Sequence, residues 1–262
     1  MAIITLTTDF GTRDHFAAAM KGVILAIAPK TAIVDITHEI EPFAVAEAAF
    51  TVAEAWPSFP AKTIHVVVVD PGVGSPRRPI LVEAGGHYFI GPDNGVFGRI
   101  YAGEPKARVR HLRAAKYFAG QVSQTFHGRD VFAPVAAHLA AGQVRPASLG
   151  PRITDSRRTG LESPTRTGTR TWAGVVLKAD RFGNLITNFH VAVFPDILRR
   201  PISLLAGIHQ VDFLVRNYAE ASPGEPVAII GSSGYLEVVI NQGSAAKQLG
   251  CGAGTPVELA IL

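Results

Sequence analysis

Four consecutive valines, Val66–Val69, run directly into Asp70, and this stretch constrains the fold more than any other. A strand that is apolar without alternation is buried on both faces, as in parallel sheets covered by helices. The surrounding pattern agrees. Residues 3–8 (IITLTT), 32–37 (AIVDIT) and 63–69 (TIHVVVV) read as strands, and the Ala-rich segments 14–28, 43–56 and 129–142 read as helices. Asp14 is expected to cap the first helix, Pro29 to end it and Gly142 to close the third. Strands separated by helices of about 12–15 residues predict βαβ units and a mainly parallel sheet.

The texture changes after residue 170. Short β-rich runs at 172–179, 184–189, 202–205, 211–216, 226–231, 235–240 and 256–261 are separated by turns, with short helices near 191–199 and 244–249. The expectation is an α/β domain over 1–150, an Arg-rich linker over 151–170 and an antiparallel β-barrel domain over 171–262. The linker holds five Arg against one Asp and one Glu, so it accounts for +3 of the net charge of +4. With the excess charge in one solvated segment, and no basic helix or aromatic platform, a nucleic-acid partner is not expected.

Apolar residues make up 47% of the chain and charged ones 18%, which excludes disorder. No run reaches the roughly 18 apolar residues of a membrane span. The amino terminus reads as a strand and not as a signal peptide. The single cysteine, Cys251, allows no internal disulfide and suggests no zinc site. A cytoplasmic protein without a membrane partner is the expectation.

Ligands of parallel α/β sheets bind beyond the carboxyl ends of the strands. Two strands here finish on a carboxylate: Thr7-Thr8-Asp9 and Val68-Val69-Asp70, each followed by a glycine-bearing loop. Such carboxylates can accept hydrogen bonds from a ribose diol. Neither a GxGxxG after a strand nor a GxxxxGK[ST] is present, so a nucleoside without a phosphate cradle is favoured over a dinucleotide. His127, within TFHGRDVFAP at the start of a helix, is the histidine placed among polar neighbours (Gly128, Arg129 and Asp130) and is the candidate for proton handling. The polar turns ADRFGN (179–184) and GSSGYL (231–236) are candidate ligand loops of the second half.

TTDFGTRDHF (7–16), VVVVDPGVGSPRR (66–78), GPDNGVFG (91–98), TFHGRDVFAP (125–134), ADRFGNLITN (179–188) and SSGYLEVVINQGSA (232–245) occur in this order. Together they resemble the S-adenosyl-L-methionine hydroxide adenosyltransferases, relatives of the fluorinase and chlorinase enzymes, over nearly the whole chain except the Arg-rich segment. The resemblance implies an amino-terminal α/β domain, a carboxy-terminal β-barrel domain and a homotrimer with sites between subunits. The reaction it implies converts S-adenosyl-L-methionine and water to adenosine and L-methionine, with no cofactor and no metal.

The family's Asp–Arg–His set falls on Asp70, Arg77 and His127, with Arg78 the adjacent alternative to Arg77. By the same resemblance Asp9 holds the ribose hydroxyls and Phe43 packs on the sugar. Asp14, Asp180, Ser232 and Ser233 face the methionine amine and carboxylate, and Phe182, Asn184 and the backbone near Asn241 frame adenine. The chain departs from the halogenating relatives in carrying Asp70, Val73 and Gly128 around the halide position, Ser233 in place of an arginine and Ile186 in place of a tryptophan. Three other functions stay open: 5′-halogenation of the same substrate, a metal-dependent nucleotidase-like hydrolase using Asp9, Asp14 and Asp70, and a non-catalytic nucleoside-binding protein.

Overall fold

A computed structural model describes residues 1–158 and 163–262. The fold is mixed α/β with two sheets, and the chain divides into two compact units, Met1–Gly160 and Leu161–Leu262. No helix among the described residues is long and apolar enough to cross a membrane.

In chain order the first unit comprises β1 (Ile3–Thr8), α1 (Phe16–Ile27), β2 (Ala32–Thr37), α2 (Val45–Ala55), β3 (Ile64–Val68), β4 (Pro79–Ala84), β5 (His87–Pro92), α3 (Gly98–Gly103), β6 (Arg108–His111), α4 (Ala133–Ala140) and β7 (Arg152–Ile153). The sheet runs β2-β1-β3-β5-β4-β6-β7. Pairings β1–β2, β1–β3 and β3–β5 are parallel, whereas β4–β5, β4–β6 and β6–β7 are antiparallel. The sheet is therefore parallel on one side only, where a mainly parallel one was expected. The cause is the Gly85-Gly86 turn: both glycines have positive φ (54° and 79°), and they fold 79–92 into a hairpin.

Every residue of β3 is buried, as the unalternated valines require. Val66 and Val68 enter one apolar cluster with Met20 and Ile24 of α1 and Val135 and Ala136 of α4. Val67 and Val69 enter another with Ala48 and Val52 of α2 and Ile100 of α3.

Helix α1 starts at Phe16 with His15 at its cap and no side-chain capping bond. Asp14 is exposed and does not cap it. The helix expected over 129–142 is two pieces, a π-helical turn at Gly128–Phe132 followed by α4.

Most of the described residues of 151–170, the segment expected as a solvated linker, are exposed, but the segment is not wholly detached. Its first part joins the sheet: Val109 pairs with Ile153, Arg157 donates its amide to Asp93 Oδ1 (2.8 Å), and Arg78 Nη1 donates to Asp155 (2.8 Å). Buried Asp93 thus accepts an amide of the segment, and Arg78 donates to a carboxylate of the segment, where composition alone assigned both to solvent. Its middle, 159–162, lies outside the described residues.

In the second unit the strands are β8 (Thr165–Arg166), β9 (Thr171–Ala179), β10 (Leu185–His190), β11 (Ile202–Ala206), β12 (His209–Val211), β13 (Leu214–Val215), β14 (Pro226–Ile230), β15 (Tyr235–Ile240) and β16 (Pro256–Ile261), with a short helix α5 (Ala245–Leu249). Their order is β12-β11-β16-β9-β10-β15-β14-β13, with β8 on β9, and the sheet curls as a half-barrel. Register shifts within β10 against both β9 and β15 bend that strand, as bulges do. The run expected over 211–216 splits at Asp212-Phe213 into β12 and β13, which lie at opposite ends of the sheet order. The β13–β14 pairing is parallel, an exception to the antiparallel pattern.

Candidate active site

Strands β1 and β3 are adjacent and parallel, with Thr8 opposite Val68. The chain crosses from β1 to β2 on one side and to β3 on the other, so the carboxyl ends of β1 and β3 form a topological switch point. Asp9 follows Thr8 and Asp70 follows Val69, which places both carboxylates at one crevice. A cavity of about 290 Å³ opens there, lined by Asp9, Phe43, Asp70, Val73, Thr125 and His127 among others. Phe10, Phe16 and Phe126 form an aromatic wall with centroids 5.2–5.7 Å apart, Phe126 edge-to-face with the other two.

Asp70 is held by Arg77. Arg77 Nε donates to Asp70 Oδ1 (3.0 Å) and its Nη2 donates to Oδ2, a bidentate pair whose side chains are 5% and 8% exposed. The same Nη2 reaches His127 Nδ1 at 2.7 Å. A guanidinium only donates, so Nδ1 must present its lone pair, and the neutral ring carries its proton on Nε2. Burial, followed by the Arg77 charge, pushes the His127 pKa below its ordinary 6.5; Asp70, Asp130 and the Ser123 backbone oppose this more weakly. Arg78, one residue on, points to Asp93 (2.7 and 3.0 Å) and Asp155.

Asp9 accepts the Phe43 amide at 2.9 Å, and burial raises its pKa despite that bond. Phe43 takes a left-handed φ of 70° and leaves its ring 70% exposed. The loops around the cavity pack tightly at two glycines. A Cβ on Gly74 would stand 2.5 Å from the Gln124 carbonyl oxygen, and one on Gly128 would stand 3.1 Å from Met20 Sδ.

Asp9, Phe43, Asp70 and His127 thus share one cavity, and Arg77 braces it. Asp14 is exposed and does not line it. Among the described residues no group of three or more His, Cys, Asp or Glu is placed to hold a metal ion.

The second unit contains a separate cavity of about 420 Å³, lined by Phe182, Asn184, Tyr218, Ile240, Asn241, Gln242, Gly243 and Ser244. Asp180 accepts from Asn184 Nδ2 (2.9 Å) and from the amides of Phe182 and Asn184, which sets the 180–184 turn. Ser232 and Ser233 lie in the 231–234 turn and do not line this cavity; the Ser233 carbonyl faces His190 Nε2 at 3.1 Å. Tyr218 was not anticipated from the sequence, because nothing near it marks a motif. Glu237 was also missed: 8% exposed on β15 and near Asp180, it is pushed up to about 7, chiefly by burial.

Residues 4–150 match the SAM hydroxide adenosyltransferase N-terminal domain, and residues 174–258 match the corresponding C-terminal domain. The chain belongs to the SAM hydroxide adenosyltransferase family. Within this family it is 38% identical over 268 residues to an (R)-S-adenosyl-L-methionine hydrolase of Thermus thermophilus, covering 99% of this chain and 100% of that one. A fluorinase of an Actinoplanes species is more distant, at 27% identity over 292 residues and 98% and 97% coverage. Among solved structures, that of an uncharacterized conserved protein from Thermotoga maritima superposes with a TM-score of 0.90 at 32% identity, covering 99% of this chain and 100% of that one.

Proposed function

We propose that this protein hydrolyses S-adenosyl-L-methionine to adenosine and L-methionine, by displacement at C5′ with a water held on Asp70. The observation that carries the reading is the chain of hydrogen bonds Asp70–Arg77–His127 at the edge of a cavity that also contains Asp9. A sulfonium is already a good leaving group, so the sulfur needs no general acid. What the site must supply is a water in line with C5′ and sheltered by apolar walls, which Phe10, Phe16 and Phe126 provide. Asp70 orients that water and takes its proton as the C5′–O bond forms and the C5′–S bond breaks, and methionine leaves as the neutral thioether. Arg77 fixes the carboxylate and balances its charge, and His127 holds Arg77 in place.

Asp9 is read as the acceptor of the ribose hydroxyls and Phe43 as the cover over the sugar. Phe182, Asn184 and Asn241 are read as facing adenine, and Asp14, Asp180, Ser232 and Ser233 as facing the methionine end. The first unit is read as an α/β sandwich domain and the second as a small β-barrel domain, supported by the two apolar clusters flanking β3 and the curled sheet. No cofactor enters this chemistry, and the assembly is read as a homotrimer, to be checked by light scattering.

Incubation of the protein with S-adenosyl-L-methionine in ¹⁸O-labelled water tests the reaction. Adenosine labelled at the 5′ oxygen, together with methionine, is the expected result. Absence of both products overturns the reading, and a 5′-halogenated nucleoside formed only with added halide would replace it with halogenation.

A further inference from the structure

His127 reaches Arg77 from the N-cap of a π-helical turn. The segment that leads into it has little regular structure of its own, and one side chain outside the cavity gathers that segment. Asp130 is 2% exposed and sits in the π-helical turn Gly128–Phe132. Its Oδ2 accepts the Ser123 amide at 2.8 Å, its backbone carbonyl accepts the Ala119 amide at 2.8 Å, and its own amide donates to the Phe126 carbonyl at 3.1 Å. Three points of the 119–127 segment are therefore tied to one residue.

The consequences reach the cavity directly. Holding the Ser123 amide sets the turn in which Ser123 Oγ accepts from the Thr125 amide (3.1 Å), and Thr125, Phe126 and His127 then line the cavity in sequence. Arg129 closes a bidentate pair on Asp130 (2.6 and 3.0 Å) while its guanidinium lies 5.0 Å from the Phe126 ring centroid. The far end of the same turn, Phe132, lies under the Arg77 guanidinium at 5.4 Å. Turns of the π type insert one residue relative to an α-helix and recur at functional sites. Here the two ends of one short turn adjoin the two sides of the Arg77–His127 bond, His127 at its cap and Phe132 under the guanidinium.

We propose that Asp130 is a positioning residue for His127: through the Ser123 amide it holds the 119–127 loop so that Nδ1 of the imidazole meets Arg77. Its catalytic consequence rests on the hydrolase reading above, but the placement of His127 does not.

The test replaces Asp130 with Ala and with Asn, and reads ¹⁵N imidazole shifts by NMR beside kcat and KM. In the unaltered protein His127 is expected as the pure Nε2–H tautomer. In Asp130→Ala the shifts should move to a tautomer mixture, and kcat should fall by about 10–100-fold, less than the roughly 10²–10⁴-fold of a removed acid–base group because the imidazole stays in place but misaligned. Asp130→Asn keeps an oxygen for the Ser123 amide, so it should restore the single tautomer and bring kcat within about 5-fold of the original. Arg129→Ala leaves the Ser123 bond in place and should keep the tautomer. Asp130→Ser, too short to span to Ser123, substitutes for alanine if that variant does not fold.

An unchanged tautomer and rate in Asp130→Ala or Asp130→Ser would sink the proposal, as would an Asn variant no better than Ala. If the parent protein turns over no S-adenosyl-L-methionine, the hydrolase reading fails while the NMR comparison still decides the positioning role.

Discussion

Arg77 and His127 are joined by a hydrogen bond of 2.7 Å from Nη2 to Nδ1, and that bond determines which imidazole nitrogen carries the proton. Because the same Nη2 also binds Asp70, the three side chains share one donor atom. Moving any of them changes the geometry seen by the other two.

Asp70→Asn, Arg77→Ala and His127→Ala should each lower kcat by about 10²–10⁴-fold, the usual loss for a positioned acid–base group. Groups that act as a unit are strongly non-additive. The double variants should therefore be little worse than the single ones. Steady-state rates of adenosine formation check this, and independent, multiplying losses would show that the shared donor is not the organising feature.

The pH profile should have two acidic limbs. His127 must be neutral to accept from Arg77, so kcat falls as pH drops through its pKa, which burial and then the Arg77 charge hold below 6.5. Asp9 must be ionised to accept ribose hydroxyls, and burial raises its pKa above 3.8, so KM should climb on acidification at a higher pH than for an exposed carboxylate. Separate fits of kcat and KM against pH test this. A kcat limb at or above 6.5 contradicts the neutral His127.

Acid stability should be governed partly by His65. It is fully buried, bonded to Thr5 Oγ1 (2.8 Å) and His87 Nδ1 (3.2 Å), and stacked on Phe89. Burial first, and the neighbouring His87 second, lower its pKa from 6.5 to about 3. With the folded value depressed, the unfolded chain binds the proton first. Stability is thus complete above pH 6.5 and lost as pH falls toward 3, by as much as about 5 kcal/mol. Denaturant titrations across that range should show the loss, with a flatter dependence in His65→Phe, which keeps the stacking.

Glu237 predicts the opposite sign. Its pKa rises from 4.5 to about 7, so its contribution is present below 4.5 and is lost as pH rises through 7. Glu237→Gln should stabilise the protein at pH 8 by up to about 3 kcal/mol and leave it unchanged at pH 4. Equal effects at both pH values would show that the carboxyl ionises normally.

Gly74→Ala should destabilise by about 1–3 kcal/mol and reduce activity as well. Gly74 has φ of 76°, and the added methyl would meet the Gln124 carbonyl, where the 70–78 loop touches the loop bearing His127. Thermal unfolding and kcat should fall together.

Much of this was legible in the chain itself. Unalternated valines mark a strand buried on both faces, and an aspartate directly after such a strand stands at its carboxyl end whatever the neighbours are. The hairpin over 79–92 is legible in principle, since ILVEA and HYFI are continuous runs and Gly85-Gly86 between them is a sound hairpin signal. Local pattern reports period, and period does not say which strand pairs with which. The run at 211–216 shows the cost: one half pairs back with β11 and the other forward with β14, at opposite ends of the sheet order.

Arg77 and Arg78 mark the same boundary at the scale of side chains. They are identical in type and adjacent, so no local rule separates them. In an extended chain successive side chains point to opposite sides, and here Arg77 turns to Asp70 and His127 while Arg78 turns to Asp93 and Asp155. Which side faces the cavity is decided by the seating of the 70–78 loop on the 119–127 loop and by the pairing of β1 with β3. Those are contacts between residues 50 or more positions apart. Residue types and strand ends are local properties and can be read along the chain, whereas convergence is a property of packing and exists only once the chain has folded.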